Sequence, residues 1–407
     1  MEDKVSLEKL IDFLDRSIVK LKLEFLRNLL IDASKSSKPW KNRKFAKSIG
    51  IKWCKKISSS TTIYKWFCGK RNTRVKFLKL IVKKSRYSWK DVENNLIGVK
   101  AGTPNGWIKP TFPIKIDKNL GSVIGHILGD GSIDGRYTQP FYSNQNKRLL
   151  EEFLISMQKS LGVMPRIWIQ EANGFNLKNP WIRRVSSIDE IPDGMQAGLF
   201  YPTISGIVLH AIFGKFAIGE RKKITPQIKN SNIEFKKSLI RAFFDDEGTV
   251  QPEEIGVFQD NKKLLEDIRK MLIELGIVPN KVTSYLKGNK KHYKFTITGY
   301  YNFLKFAKTI GFTSAQKQSK LLENITRINK RRSFKLRKNE ARNNILLILK
   351  GKKRATTKEI RLLLKSKFPD FLWDKSTILR HLHNLENLGL ATHRKVGFKY
   401  IWEINSV

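Results

Sequence analysis

The sequence predicts an α+β fold: an αββαββα unit occurring twice in one chain, with an all-α domain before it and a small helix-and-hairpin domain after it. Three observations predict this. The 407 residues exceed one ordinary domain and suggest roughly two to four. Blocks of sequence recur in the same order in the middle of the chain. Both ends carry helical spacing and capping signals.

Charge narrows the function. Lys+Arg 79 stand against Asp+Glu 36, a net charge of +43, which is the footprint of a polyanion binder. General solubility is the bland alternative, but such an excess repels itself unless something anionic neutralises it. No apolar run is long enough to span a bilayer, and the start, MEDKVSLEKL, has no apolar signal region. The expectation is an intracellular protein with no membrane partner. Only Cys54 and Cys68 occur, which argues against zinc fingers and disulfide frameworks.

Residues 1–115 read as a helical domain. Leu7, Leu10, Ile11, Leu14, Ile18 and Leu21 keep helical spacing. A short helix ending near Gly50, a Ser/Thr-rich turn and a second helix carrying Lys65, Lys70, Arg71 and Arg74 outline a helix-turn-helix. "GVKAGTPNGWIKPTFP" reads as a linker.

Residues 118–230 and 231–326 are the two copies. "NKRLLEEF" from Asn146 matches "NKKLLEDI" from Asn261, and "LGVMP" matches "LGIVP". A third pair, "ISGIVLHAIFGKF" and "ITGYYNFLKFAKTIGF", shows that the first copy carries about 20 extra residues, assigned to the polar loop "SSIDEIPDG". "SVIGHILGDGSI" heads the first copy and "LIRAFFDDEGTV" the second. Residues 327–342 hold eight Lys/Arg and one Glu, a basic linker or helix start. Residues 343–407 read as a winged helix: a helix, a second opened by a Thr356/Glu359 capping box, a recognition helix ending at Gly389, and a basic hairpin. A plain dimerisation module is the alternative. Lys375, Ser376, Thr377, Arg380 and His381 on one helix favour DNA contact.

The heading helices carry the chemistry. Gly125 and Gly129 lie four apart on one face, and Ala242 sits where Gly125 sits. Small residues there let two helices pack closely with their C-terminal ends together, which makes Asp130 and Glu247 neighbours. Two adjacent carboxylates at helix C-termini repel each other and oppose the dipole. A divalent cation removes the conflict, and carboxylates with backbone carbonyls suit Mg²⁺. Gly129 and Asp246 complete the candidate ligand set. Two such ions about 4 Å apart would clamp the attacking and leaving oxygens of a phosphodiester. His126 and His210 read as core residues, His381 and His383 point to different helix faces, and no histidine metal cluster is expected.

These paired motifs resemble the signature helices of the LAGLIDADG homing endonuclease family, over about residues 120–326. The resemblance implies saddle-shaped antiparallel sheets laid in the DNA major groove and a divalent metal held by the acid before each final glycine, Asp130 and Glu247. The first motif departs at its sixth position, where Leu128 stands for the acid that Asp245 keeps. That position is usually structural. The resemblance also implies roles for the strands. Arg166, Trp168 and Gln170 on one face of "RIWIQ", and Lys281, Thr283, Tyr285 and Lys287 of "KVTSYLK", would contact DNA with Arg136, an ordinary solvated sheet face being the alternative. Lys65 and Arg71 of the helix-turn-helix outline and Lys375, Thr377 and Arg380 of the winged-helix outline are further candidates. Asn144 and Gln259 would order water at the scissile phosphate. Lys222 and Lys317 would stabilise developing charge, routine surface lysines being the alternative.

The expectation is a monomeric, intron-encoded, Mg²⁺-dependent endonuclease for double-stranded DNA. The chain opens with Met and has neither a leading Cys or Ser nor a closing His-Asn, so a free-standing protein is expected. A non-cleaving regulator of transcription with the same fold, or an intron RNA maturase, are the rivals. The family suggests an archaeal or organellar source, and with it the cytoplasm or nucleoid of a prokaryote or an organelle matrix.

Overall fold

The computed structural model describes the chain except residues 1–2, 52–60, 102–105, 137, 171–180, 220, 289, 337, 368–372, 398 and 406–407. It divides into two compact units, Met1–Leu322 and Glu323–Val407.

The duplicated core lies in the first unit. Its first copy runs α1 (Lys118–Leu128), β1 (Ser132–Ile133), β2 (Pro140–Asn144), α2 (Lys147–Leu161), β3 (Arg166–Gln170), β4 (Trp181–Val185), β5 (Ala197–Phe200) and α3 (Thr203–Phe213). The second runs α4 (Ile233–Glu247), β6 (Gly248–Val250), β7 (Glu254–Gln259), α5 (Lys262–Glu274), β8 (Thr283–Lys287), β9 (Lys290–Thr298) and α6 (Tyr300–Thr309), followed by α7 (Ala315–Leu336). The sheet orders are β1-β2-β5-β3-β4 and β6-β7-β9-β8, antiparallel throughout. The extra length of the first copy is therefore not all loop, because β4 adds an edge strand with no counterpart in the second sheet. The loop that follows still buries Ile188 and Ile191.

Local chemistry explains why the copies share these elements. Asn146 and Asn261 each cap the helix after the first hairpin, their side chains accepting from Arg148 N (3.1 Å) and Leu264 N (3.1 Å). In β3, Ile167 and Ile169 are buried while Arg166, Trp168 and Gln170 face away, the period-two alternation of a half-buried strand.

The all-α expectation for residues 1–115 is not met. The stretch read as one helix holds two, Leu7–Leu10 and Leu23–Ser34, with a strand at Ile18–Leu21 between them. That strand is the centre of a three-stranded sheet with Thr73–Arg74 and Leu96–Lys100. Val19 and Leu21 are buried and Lys20 is exposed, and β-branched Ile18 and Val19 suit the strand. Leu96–Lys100 supplies the ladder and takes up the start of the stretch read as a linker, while Val99 also bridges to Ile108. Of the helix-turn-helix outline, helices Arg43–Ser48 and Thr61–Phe67 are present, and the turn falls largely on residues outside the described ones. Lys65 is on the second helix, but Lys70 and Arg71 lie in the turn beyond it and Arg74 in a strand. Lys4–Val5 pairs with Ile114–Lys115 just before α1, so this region packs as part of the first unit.

The second unit has the order α8 (Lys338–Lys352), β10 (Arg354–Thr356), α9 (Thr357–Lys367), α10 (Lys375–Asn387), β11 (Ala391–Val396) and β12 (Lys399–Ile404), with sheet order β10-β12-β11. Where described, 327–342 is helical rather than an open linker. Ile345, Leu349, Ile360, Leu364, Ile378, Leu382, Leu385 and Trp402 form the core of this unit. Thr356 and Glu359 make the reciprocal capping box, Thr356 N donating at 2.7 Å and Glu359 N at 3.3 Å. Gly389, at φ 70°, reverses the chain after α10.

Candidate functional site

Helices α1 and α4 are in backbone contact. A Cβ on Gly121 would fall 2.3 Å from Phe235 O, one on Gly125 2.3 Å from Leu239 O, and one on Gly129 2.5 Å from Asp246 Oδ2. These contacts advance together along both helices, so the helices run parallel and their C-terminal ends lie side by side. The glycine stripe extends one turn further back than Gly125 and Gly129 alone suggested.

At that end the three consecutive acids of α4 point three ways, because successive helical residues are about 100° apart. Asp245 is buried and accepts from Thr313 N and Ser314 N, each at 2.9 Å. It ties the helix end to the loop before α7. Asp246 turns inward across the helix pair. It accepts from Tyr142 Oη (2.8 Å), meets His126 Nδ1 (3.1 Å), and lies 3.4 Å from Asp130 N. Glu247 alone turns towards the end of β7, where Gln259 Nε2 donates to it at 2.6 Å.

Across the pseudo-two-fold axis the same arrangement recurs. Asn144, at the end of β2, donates Nδ2 to Asp130 Oδ2 at 3.0 Å. Each amide is itself fixed, Asn144 Oδ1 accepting from Asn146 N and Gln259 Oε1 from Asp260 N, both at 2.9 Å. Lys222 Nζ donates to Gly129 O, and Lys317 Nζ donates to Asp245 O and, at 3.2 Å, to Phe244 O. One ammonium thus caps the carbonyl end of each signature helix, where the dipole is negative.

The electrostatics are strained in one direction. Burial first, then Asp246, pushes the Asp130 carboxyl up to about 6, against Lys222, His126 and Lys317. Asp130 keeps an exposed edge. Burial first, then Asp130, pushes Glu247 up to about 8. Burial also raises Asp245 to about 6, opposed by its two backbone donors. Lys317 is held below the usual lysine range by burial despite four carboxylates around it. The carboxylates of Asp130 and Glu247 form an all-oxygen donor set whose ionisation is unfavourable without a cation. That chemistry fits a hard divalent ion. Asp246 and the Gly129 carbonyl, also expected as ligands, are instead held by protein donors.

The expected DNA-facing residues are placed as follows. Arg166 and Arg136 are exposed, and Trp168 and Gln170 half-buried. In β8, Thr283 and Tyr285 share a face, Lys281 lies just before the strand, and the Lys287 side chain is outside the description. Tyr285 stacks on His292 at 5.6 Å with Lys294 over its ring. In the second unit Lys375 and Arg380 are exposed, while the Thr377 hydroxyl donates to the N-cap Asp374 Oδ2 at 2.9 Å.

Sequence reasoning missed two features. One is the buried group under the site, in which His126 and Tyr142 hold Asp246. Burial works against the charged imidazole, but Asp246, then Glu152 and Asp245, leaves its pKa above the ordinary value. The signal was available, since polar His126 stands where the second motif has Phe243. The other is a histidine cluster, which was not expected. His383 does diverge from His381, yet it meets Glu386 and His393, and His393 comes from the next strand.

The family model described as LAGLIDADG-like domain matches residues 234–311. A replication factor C small subunit of Methanocaldococcus jannaschii is 24% identical over 248 residues, covering 60% of this chain and 12% of that protein. The chain thus spans only a small part of that relative's length. Among solved structures, I-DmoI in complex with DNA and Mn aligns at TM-score 0.32 and 15% identity, covering 48% of this chain and 97% of that one. The homing endonuclease I-WcaI bound to its DNA recognition sequence gives 0.33 and 15%, over 48% and 81%. The N-terminal LAGLIDADG domain of DUF199/WhiA gives 0.30 and 15%, over 52% and 87%. Among the described residues, no helix is long and apolar enough to cross a membrane.

Proposed function

This chain carries a LAGLIDADG-like domain, and from that premise we propose that it is a divalent-metal-dependent endonuclease for double-stranded DNA. The carrying observation is the pair Asp130 and Glu247. They stand at adjacent helix ends, each gripped by a fixed amide, and both carboxyls are raised well above the carboxylate range. In this reading the Asp130 and Glu247 carboxylates would hold Mg²⁺, which would supply Lewis acidity against a phosphodiester when bound.

The protein's own residues do the rest. Asn144 and Gln259 aim the two carboxylates. Lys222 and Lys317 neutralise the helix ends and stand ready for the charge that develops on phosphorus-bound oxygens. The exposed faces of the two sheets, through Arg166, Trp168, Gln170, Thr283 and Tyr285, grip the duplex, and a net charge of +43 draws it in. A single chain holding both halves can act as a monomer on an asymmetric site.

A second reading, a DNA-binding protein that does not cut, is favoured by the second unit. Its order of helix, strand, two helices and hairpin, with exposed Lys375 and Arg380 on α10, suits a winged-helix reader of DNA. Incubating the full chain with a duplex library in Mg²⁺ and in EDTA separates the two. The nuclease reading expects discrete double-strand cuts in Mg²⁺ only, abolished in Asp130→Asn and Glu247→Gln with binding retained. Tight binding without cutting in either condition would establish the second.

A further inference from the structure

We propose that His383, Glu386 and His393 form a separate metal site, for a borderline divalent ion of the Zn²⁺ class, that clamps α10 to β11. This inference stands on the second unit alone and is independent of the nuclease reading.

His383 and Glu386 are three apart on α10 and share a face. His393 is the third residue of β11, brought back to the helix by the turn at Gly389. The Nδ1 atoms of both imidazoles aim at one carboxylate, His383 at Oε2 (3.2 Å) and His393 at Oε1 (2.7 Å). One ligand atom from each of the three residues lies within 4.8 Å of the others. Around a tetrahedral ion, ligand atoms about 2.1 Å from the metal are some 3.4 Å apart. The cluster therefore needs only side-chain rotation to close.

The rings are held before any ion arrives. His393 packs against Trp402 at 4.7 Å and Tyr400 at 5.1 Å, and His383 meets Trp402 edge-on at 5.1 Å. Trp402 is itself buried, with its indole N–H donating to Thr357 Oγ1 at 3.1 Å. A backing of this kind lowers the ordering cost of the ligands. His383 is about half exposed, at 48% of its side chain, so an ion can enter and a water can take the fourth position. Two imidazoles and one carboxylate suit Zn²⁺, Co²⁺ or Ni²⁺ and do not suit Mg²⁺, which takes oxygen donors. The two ions would therefore sort themselves between this cluster and the Asp130/Glu247 pair.

The test titrates the metal-stripped full chain with Zn²⁺ against a chromophoric chelator, in excess Mg²⁺ to fill the carboxylate pair. Co²⁺ absorption serves as a second probe. One Zn²⁺ equivalent is expected, retained in an Asp130→Asn/Glu247→Gln protein. It should weaken at least about a hundredfold in His383→Gln/His393→Gln, with the Co²⁺ bands lost. Should that double variant misfold by circular dichroism, Glu386→Gln, which keeps the side chain's size, is expected to weaken binding at least about tenfold. The histidine ring protons of the unaltered protein should also shift on adding one equivalent of Zn²⁺. Zn²⁺ binding that is absent from the unaltered protein, or unchanged in the folded variants, would overturn the proposal. The cluster would then be an aromatic-backed ion pair only.

Discussion

Gly125→Ala places one methyl group at one of the tightest points of the site's scaffold. The new Cβ would lie 2.3 Å from the backbone oxygen of Leu239 and 2.8 Å from the Ala242 methyl. Ordinary contact is about 3.5 Å or more, so the helices must part by about 1 Å, and a gap of that size forfeits a quarter to a half of each dispersion contact it opens. The opposing atom is backbone, which cannot rotate away, so the cost falls at the upper end of overpacking, about 3 kcal/mol. Alanine's helix propensity returns about 1 kcal/mol, leaving a net loss near 2 kcal/mol. Gly351→Ala in the last turn of α8 is the control. Nothing lies within 4 Å of its added Cβ, so only the propensity gain applies. Because the chain has two compact units, hydrogen exchange of α4 and α8 amides reports each separately. The expected result is faster exchange across α4 in the first variant and slower exchange across α8 in the second. Unchanged protection of α4 would refute the claim that backbone contact through Gly125 holds the helices together.

Three further outcomes follow from the same geometry. Without metal, the raised carboxyls of Asp130 (about 6) and Glu247 (about 8) contribute stability at low pH that is lost as pH rises through those values. The melting temperature in EDTA should therefore fall between pH 5 and pH 9 by more than in Mg²⁺, and Mg²⁺ affinity should rise over the same window; equal slopes would contradict the assignment. Asp245→Asn replaces one acceptor oxygen facing Thr313 N or Ser314 N by a donor and should cost about 1–3 kcal/mol in urea unfolding; an unchanged midpoint would show that the tie is slack. His126→Phe removes the partner of a buried carboxylate and should cost about 3 kcal/mol, part of which Asp246→Asn restores; additive losses in the double variant would show that His126 and Asp246 are not coupled.

Much of the site was legible because repetition is a strong signal. Two acids at matching places in two copies marked Asp130 and Glu247, and the ends of the following strands marked Asn144 and Gln259. The structure brings all four together in two equivalent pairs. What failed was local. Ile18–Leu21 satisfies helical and strand periods alike over so few residues, and only the partner strand Leu96–Lys100 resolves it. The basic residues after Phe67 looked like one continuous helix face, although Gly69, at φ 73°, is the local residue that ends the helix.

The run Asp245-Asp246-Glu247 shows where the line falls. Sequence alone determined that three carboxylates would crowd one helix end and that a second helix of the same kind would meet it through glycine. Which of the three acids stays at the open end of the helix pair was decided by tertiary structure. Asp245 was taken by the amides of Thr313 and Ser314, Asp246 by Tyr142 and His126, and Glu247 was left facing Asp130. Those partners lie roughly 70 to 120 residues away, and a helix fixes the angles between its own side chains but not what waits at each angle. The same holds for Glu386, whose two imidazoles converge only because a glycine turn folds β11 back along α10.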